Sequence, residues 1–598
     1  MKKVFEKYGV LKCIGSILDI LGIILVVIAM PLANESVETI LRLTGILMII
    51  IGTFAVFFDN IKEKTTKVGL VGSILLVLSF VLIAISAFID ETNSDLLNAD
   101  VIVKLAAMTV FVVGGLCLSL TAKEHRFIKS LFVIIAAIVV FTWLVPYGYF
   151  NGSDFYDYGM KRIGIMDISV AIYNALYYCV DKVVYLFILA GFYGVLSKIS
   201  GYQKMVSGLA TKFAKHPILV SIIMSVLIFV LTSLFSQTLI VLLFIPLFIS
   251  ILLNMKIDKL TTFAITFGSV LVGILGATYG TEGVTMFNYY ITYYTGLDVA
   301  TTGLTYRFII AAVALVLYNF FICMRLKKVL KENNKDSKNA DEQDDPFRIE
   351  ISKKKTSVIP VAVVLFVLAV VTILCYINWN DNFGIAIFTE FHEWLTELAP
   401  VEDFFIMSYL LGSNAQAFGE YTYVFAICSV MLIAIGLIAY LYRMKFNEFI
   451  EAFYNGTKKM FKPICYVAAV YLVFGLCYNT PFMAYISNWM FNLVEGFNPF
   501  ITSLLAFISS VFHNDLGFTS FLVAPYIANV YSSNLDLVHT IYMSMYGVIQ
   551  MFMPTSFMLA LGLSLMKLDY KSWLKYIWLF VVGMIVILLV LFTVVTYI

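Results

Sequence analysis

The chain has 598 residues, of which 61% are hydrophobic and only 13% charged, and its mean hydropathy is +0.94. A soluble domain carries roughly a quarter charged residues, and apolar runs of about 20 residues recur along this chain, so the composition excludes an ordinary soluble protein and indicates a polytopic membrane protein. The net charge of +2 gives no footing for nucleic-acid or polyanion binding, and the eight cysteines are scattered through apolar runs without metal-ligand spacing.

Residues 1–122 predict four membrane helices, near 10–31, 38–58, 68–89 and 101–121. The first follows Met1-Lys2-Lys3 and lacks a small-x-small cleavage pattern, so it reads as a membrane helix and not as a removed signal. The loops alternate: Asn34 to Glu38 and Asp90 to Asp100 are acidic, Lys62 to Lys67 and Lys123 to Lys129 basic. The positive-inside rule then places the N-terminus in the cytoplasm. A fifth helix, 127–146, ends in an aromatic boundary at Trp143 and Tyr147, and residues 147–181 read as an outer segment. A helix near 183–197 returns inward to Lys198.

From His216 the sequence climbs through an apolar run, breaks at Ser236-Gln237-Thr238, and continues to Lys256 and Lys259. Lysines at both ends (Lys212 and Lys215 before it) predict a re-entrant hairpin with a polar tip at mid-depth. The next apolar run is interrupted by Gly276-Ala277-Thr278-Tyr279-Gly280-Thr281-Glu282-Gly283. Non-helical backbone is tolerated at membrane depth only where protein or water surrounds it. A helix over 305–323 follows, in which Arg307 reads as a boundary residue reaching to the interface. Residues 326–356 form a charged cytoplasmic linker.

The second half predicts a helix at 357–378, an outer interfacial segment over 379–420, a helix at 421–442 and an amphipathic inner-surface stretch from Phe446 to Lys462. An apolar run at 463–484 follows. A second hairpin spans 499–531 and breaks at His513-Asn514-Asp515, without Lys or Arg at its flanks. A second broken helix spans 537–566 and breaks near Gln550 to Ser556 at Pro554-Thr555-Ser556. The last helix is 574–597. Both halves thus run helix, hairpin, broken helix, helix, with hairpins approaching from opposite sides. The expected fold is an all-α polytopic membrane protein of two inverted repeats, 123–325 and 357–598, preceded by a four-helix accessory region, 1–122.

Several stretches resemble the YfcC family: TWLVPYGYF at 142–150, LFILAGFYGVLSKISGY at 186–202, FIPLF at 244–248, TYRFII at 305–310, PTSFMLALGL at 554–563 and YKSWLKY at 570–576. This group includes anaerobic C4-dicarboxylate carriers and basic amino-acid antiporters, within the ion-transporter superfamily. The resemblance spans roughly 125 to 598. It implies two inverted repeats, a homodimer and a bacterial cytoplasmic-membrane location. The site positions depart from the family's pattern. Ser236-Gln237 stands where an acidic pair is common, Thr281-Glu282 where Asn-Pro is common, and His513-Asn514-Asp515 where a Ser/Gly-rich tip is common. Ser236-Gln237-Thr238 is similar to the Ser-Asn-Thr tip of the related sodium–dicarboxylate branch.

The candidate substrate- or ion-binding residues are therefore Ser236, Gln237, Thr238, Thr278, Thr281, Glu282, His513, Asn514, Asp515, Pro554, Thr555 and Ser556. Hydroxyls and amides accept from a cation or donate to a carboxylate. A membrane-embedded carboxylate such as Glu282 points to function by default, and His513 titrates near neutrality. The bland alternatives are helix capping for the hydroxyls, internal pairing for Glu282, and solvation for His513 and Asp515. The reading is a secondary active transporter for an amino acid or C4-dicarboxylate-like solute, without a bound cofactor, using Na⁺ or H⁺ as coupling ion, with Na⁺ near Glu282 or Asp515. No GxxxxGK[ST] loop offers ATP-driven transport. The alternatives are a membrane-embedded transferase using His513, Asp515 and Glu282 as acid/base groups, and a sensor or scaffold without transport.

Overall fold

The computed structural model describes residues 10–29, 66–86, 94–297, 299, 301–333, 356–401 and 404–597, with scattered positions between 37 and 55. The chain divides into two compact units, residues 1–146 with 160–163, and residues 147–159 with 164–598. Eight helices among the described residues are long and apolar enough to cross a membrane.

The first unit contains α1 (Val10–Ala29), α2 (Lys67–Ser86), α3 (Ser94–Thr121) and α4 (Arg126–Leu144). Helices α2 and α3 meet at Gly72 and Gly114, where a Cβ on either would lie within 2.9 Å of the other's carbonyl oxygen. Small residues permit such close packing where lipid supplies no hydrophobic drive between helices. The predicted helix near 38–58 lies largely outside the described residues. At the end of α4, Trp143 donates its indole N–H to Ile163 O at 2.8 Å.

The second unit opens with a two-stranded antiparallel hairpin, β1 (Gly148–Asn151) and β2 (Asp154–Asp157), the one sheet among the described residues. Helix α5 (Ile165–Lys198) follows. The outer segment expected over 147–181 is thus a short β-hairpin and then the first half of a 34-residue helix. No proline interrupts Ile165 to Lys198, and Asp181-Lys182, taken from the sequence as the edge of a loop, lie within it. Surface helix α6 (Ser200–Phe213) leads to α7 (Pro217–Leu234), started by proline in its first turn. After the break at Phe235 to Gln237 come a 3₁₀ turn, Thr238–Leu243, and α8 (Ile245–Asn254).

The first broken helix consists of α9 (Lys259–Phe263), a π-helical turn at Ala264–Gly268, α10 (Ser269–Leu275) and α11 (Glu282–Thr295). The π turn frees the carbonyl of Ala264, which accepts from Tyr318 Oη at 2.7 Å. Helix α12 (Leu304–Asn333) extends eight residues into the stretch read as linker; residues 334–355 lie outside the described residues.

Helices α13 (Ile359–Tyr376), α14 (Trp379–Phe383), α15 (Ile387–Thr396), α16 (Ile406–Leu411) and α17 (Phe425–Leu441) follow. Then α18 (Phe446–Asn479) runs 34 residues without interruption. The amphipathic Phe446–Lys462 stretch, expected to lie apart on the inner surface, is its first half, because Pro463 is accommodated inside the helix. Helices α5 and α18 are each roughly 50 Å long, longer than the ~30 Å hydrocarbon core, and pack along one another. Ala190 and Gly194 of α5 face Ala452 and Gly456 of α18, where a Cβ on Gly456 would lie 2.3 Å from Ala190 O. The chain closes with α19 (Phe482–Phe491), α20 (Pro499–Phe512), α21 (Leu516–Val530), α22 (Leu535–Gln550), α23 (Phe557–Leu565) and α24 (Tyr570–Tyr597). All four helix breaks fall where the sequence places them.

Candidate functional site: helix breaks and a buried lysine

The first break is built by exchange of backbone bonds between the α7 end and the α10–α11 connection. Gly280 N donates to Ser233 O at 2.8 Å and Thr281 N to Phe235 O at 2.6 Å. Ser233 Oγ lies 2.8 Å from both Gly276 O and Thr278 Oγ1. A Cβ at Gly280 would lie 2.2 Å from the backbone carbon of Leu234, so only glycine fits there. Thr281 has a φ of 81°, a strained conformation for a β-branched residue, and such strain collects at functional sites. Its side chain caps α11 by accepting from Val284 N.

Arg307 completes this break. Its guanidinium donates to Thr278 O at 2.6 Å and to Thr302 O at 2.8 Å, and the residue is 2% exposed. The interfacial placement expected from sequence is therefore wrong: the freed Thr278 carbonyl needs a donor away from water, and the planar guanidinium fork reaches two carbonyls at once. At the hairpin tip Ser236 is tied to α13 and its neighbourhood, its N–H donating to Tyr376 O and its hydroxyl to Tyr421 O. Gln237 is half-buried and Thr238 is buried at the head of the 3₁₀ turn.

The second hairpin tip adjoins the first break. Gly283 and Gly517 let the first turns of α11 and α21 pack side by side, for a Cβ on Gly283 would lie 2.9 Å from Leu516 and one on Gly517 3.1 Å from Met286. Glu282 begins α11, and Asp515 caps α21 by accepting from Gly517 N at 2.7 Å. His513 is buried, with Nδ1 3.0 Å from Thr519 Oγ1 and no hydrogen-bond partner at Nε2. Asn514 is buried with neither side-chain amide atom paired, while its carbonyl accepts from Tyr546 Oη at 3.0 Å.

The residue that joins these parts is one the sequence reading passed over. Lys182 of α5 lies with Nζ 3.9 Å from Glu282 Oε1 and 3.3 Å from Asp181 Oδ2, its side chain 11% exposed. The ammonium also sits over the ring of Tyr471 of α18, 5.5 Å from its centroid, a cation–π contact. The signal was present: a lysine in the middle of a 34-residue apolar stretch free of proline lies within a helix and, once buried, needs a partner.

The second broken helix is reached through Tyr471, whose ring contacts Phe557 at the start of α23. Within this break Trp573 donates to Met551 O and Tyr570 to Phe552 O. Pro554 and Thr555 are buried, Thr555 Oγ1 has no partner, and Ser556 caps α23 by accepting from Leu559 N. The structure therefore sets Glu282 against Lys182 and packs its helix start beside Asp515, places Thr278 and Thr281 in the first break and His513 and Asn514 in the adjoining hairpin tip, holds Phe557, next to Pro554, Thr555 and Ser556, against Tyr471, and commits Ser236 to a structural bond. Among the described residues no three His, Cys, Asp or Glu side chains gather as a metal-ligand set.

A family model described as DcuC, C4-dicarboxylate anaerobic carrier, matches residues 124–597. No curated protein sequence matches the chain. Among solved structures, the YdaH transporter of Alcanivorax borkumensis is similar at 11% identity and a TM-score of 0.36, covering 79% of this chain and 98% of that one. The matched stretch contains every motif on which the sequence resemblance rested, together with the four helix breaks and Lys182, and the chain accordingly belongs to the C4-dicarboxylate anaerobic carrier family and is a multi-pass membrane transporter.

Proposed function

We propose that the protein is a secondary carrier that moves a small organic solute, a C4-dicarboxylate or an amino acid of similar size, across the bacterial cytoplasmic membrane by ion coupling or exchange. The observation that supports this best is Lys182, an ammonium held against Glu282 where α11 and α21 begin side by side. A solute carboxylate takes a charge-assisted hydrogen bond from such a group, and helix N-termini favour anions. Glu282 and Asp515 offer the complementary charge for a solute ammonium, a Na⁺ or a proton. Asp181, Glu282 and Asp515 outnumber Lys182, so an anionic solute is favoured here only together with a cation. The C4-dicarboxylate class is the one the family carries. The lysine distribution and the sequence resemblance add a cytoplasmic N-terminus, two inverted repeats and a homodimer to the proposal.

The test is uptake into proteoliposomes of radiolabelled succinate, aspartate and lysine, each under a Na⁺ gradient, a proton gradient or counter-loaded solute. Accumulation of succinate or aspartate that disappears in Lys182→Met supports the reading. Accumulation of lysine alone would move the protein to a cationic substrate. Failure of all three solutes under every gradient would overturn it.

A further inference from the structure

The position a mobile cation would take beside Glu282 is filled by the protein's own ammonium. Lys182 Nζ lies 3.9 Å from Glu282 Oε1 and 3.3 Å from Asp181 Oδ2, and the Tyr471 ring covers the group from another side. The lysine is largely buried, whereas Glu282 keeps a third of its side chain exposed. Glu282, like Asp181, is therefore a partner that an incoming ion can reach, and Lys182 is the partner already in place. A lysine reaches its site on a flexible four-carbon stem, so its ammonium can change partners while α5 stays fixed.

We propose that Lys182 is a tethered counter-cation: without solute its ammonium occupies the cation subsite of Glu282, and a mobile cation takes that place only when the ammonium turns to the solute's carboxylate. This rests on the reading of the cluster as the solute site and adds an order of events to it. An empty carrier with a neutralised Glu282 crosses between its two states without carrying an ion. A carrier loaded with an anion gives up that neutralisation and must take a cation with it. Cation leak without solute is suppressed because the ammonium fills the position beside Glu282 that a mobile cation needs.

The prediction separates from solute identity, because it concerns the cluster alone. In Lys182→Ala the lost atoms correspond to n-propylammonium, which fits the space left. With no solute present, n-propylammonium or Na⁺, compared with choline, is expected to raise the melting temperature of purified Lys182→Ala saturably, by about 2 °C or more. Wild type and the double variant Lys182→Ala/Glu282→Gln are expected to show no shift beyond the scatter of replicate scans. If Lys182→Ala fails to fold, Lys182→Met, which keeps the apolar stem, carries the same test with Na⁺. Two results would overturn the proposal: a folded Lys182 variant indifferent to both cations, or an equal shift in wild type or in the double variant. A positive shift with no uptake of any solute would keep the cation subsite and remove the carrier assignment.

Discussion

Glu282, Arg307 and Ser236 show how a residue's neighbours decide its role. Glu282→Gln keeps the size of the side chain and removes the charge that faces Lys182. Gradient-driven uptake is expected to be abolished with expression and folding near normal, and homoexchange is expected to survive if Glu282 carries the coupling ion alone. Uptake at the wild-type rate in this variant would remove Glu282 from the mechanism. Arg307→Lys retains charge but loses the fork that serves Thr278 O and Thr302 O. One buried carbonyl is then left unpaired, at a cost of about 1–3 kcal/mol, and a thermal scan should show a lower melting temperature. Ser236→Ala removes one bond to Tyr421 O, so the expected effect is a stability loss of about 1 kcal/mol with unchanged solute affinity. A large affinity loss without destabilisation would return Ser236 to the solute site.

At the scale of elements, the helix breaks are stable because other elements supply the missing hydrogen bonds. Tyr570 and Trp573 of α24 donate to the carbonyls released between α22 and α23, and Tyr193 of α5 donates to Leu243 O beside the first hairpin. These donors lie in the motifs YKSWLKY and LFILAGFYGVLSKISGY, and Arg307 lies in TYRFII. The family motifs thus read as framework that satisfies broken backbone. The α5–α18 pair depends on small residues, since lipid is as apolar as the side chains it would compete with. Gly456→Ile places a branched side chain where even a Cβ meets Ala190 O at 2.3 Å. It is expected to separate the two helices, lower the melting temperature and disturb the Lys182–Tyr471 contact, with both solute uptake and stability falling. Gly583→Ala is the control on α24, since a Cβ there has nothing within 4 Å.

For the whole molecule, the inverted-repeat proposal makes a topological prediction. Single cysteines near Lys215 and Lys256, at the two ends of the first hairpin, are expected to label from the cytoplasmic side. Cysteines near Asn498 and Ser533, at the ends of the second, are expected to label from outside. Labelling of Lys215 and Lys256 positions from opposite sides would make the first segment a full crossing and end the inverted-hairpin reading.

Chain-local chemistry determined much of this protein from sequence alone. Apolar length gave the membrane class, and Gly280, Pro554 and the polar tips at Ser236 and His513 marked every helix break, because glycine, proline and unpaired polar groups act on the backbone nearest them. The family motifs were equally legible, being continuous stretches. What the sequence did not yield were the partners of intramembrane charge. Lys182 and Arg307 sat near expected boundaries, where lysine and arginine ordinarily reach water, and α5 was cut short for that reason. Only the tertiary structure brings Glu282, 100 positions later in the chain, against Lys182 and sets Thr278 O beneath Arg307. Pairing across such separations is fixed by which helices pack together, and a buried charge is tolerable only once that packing has supplied its partner.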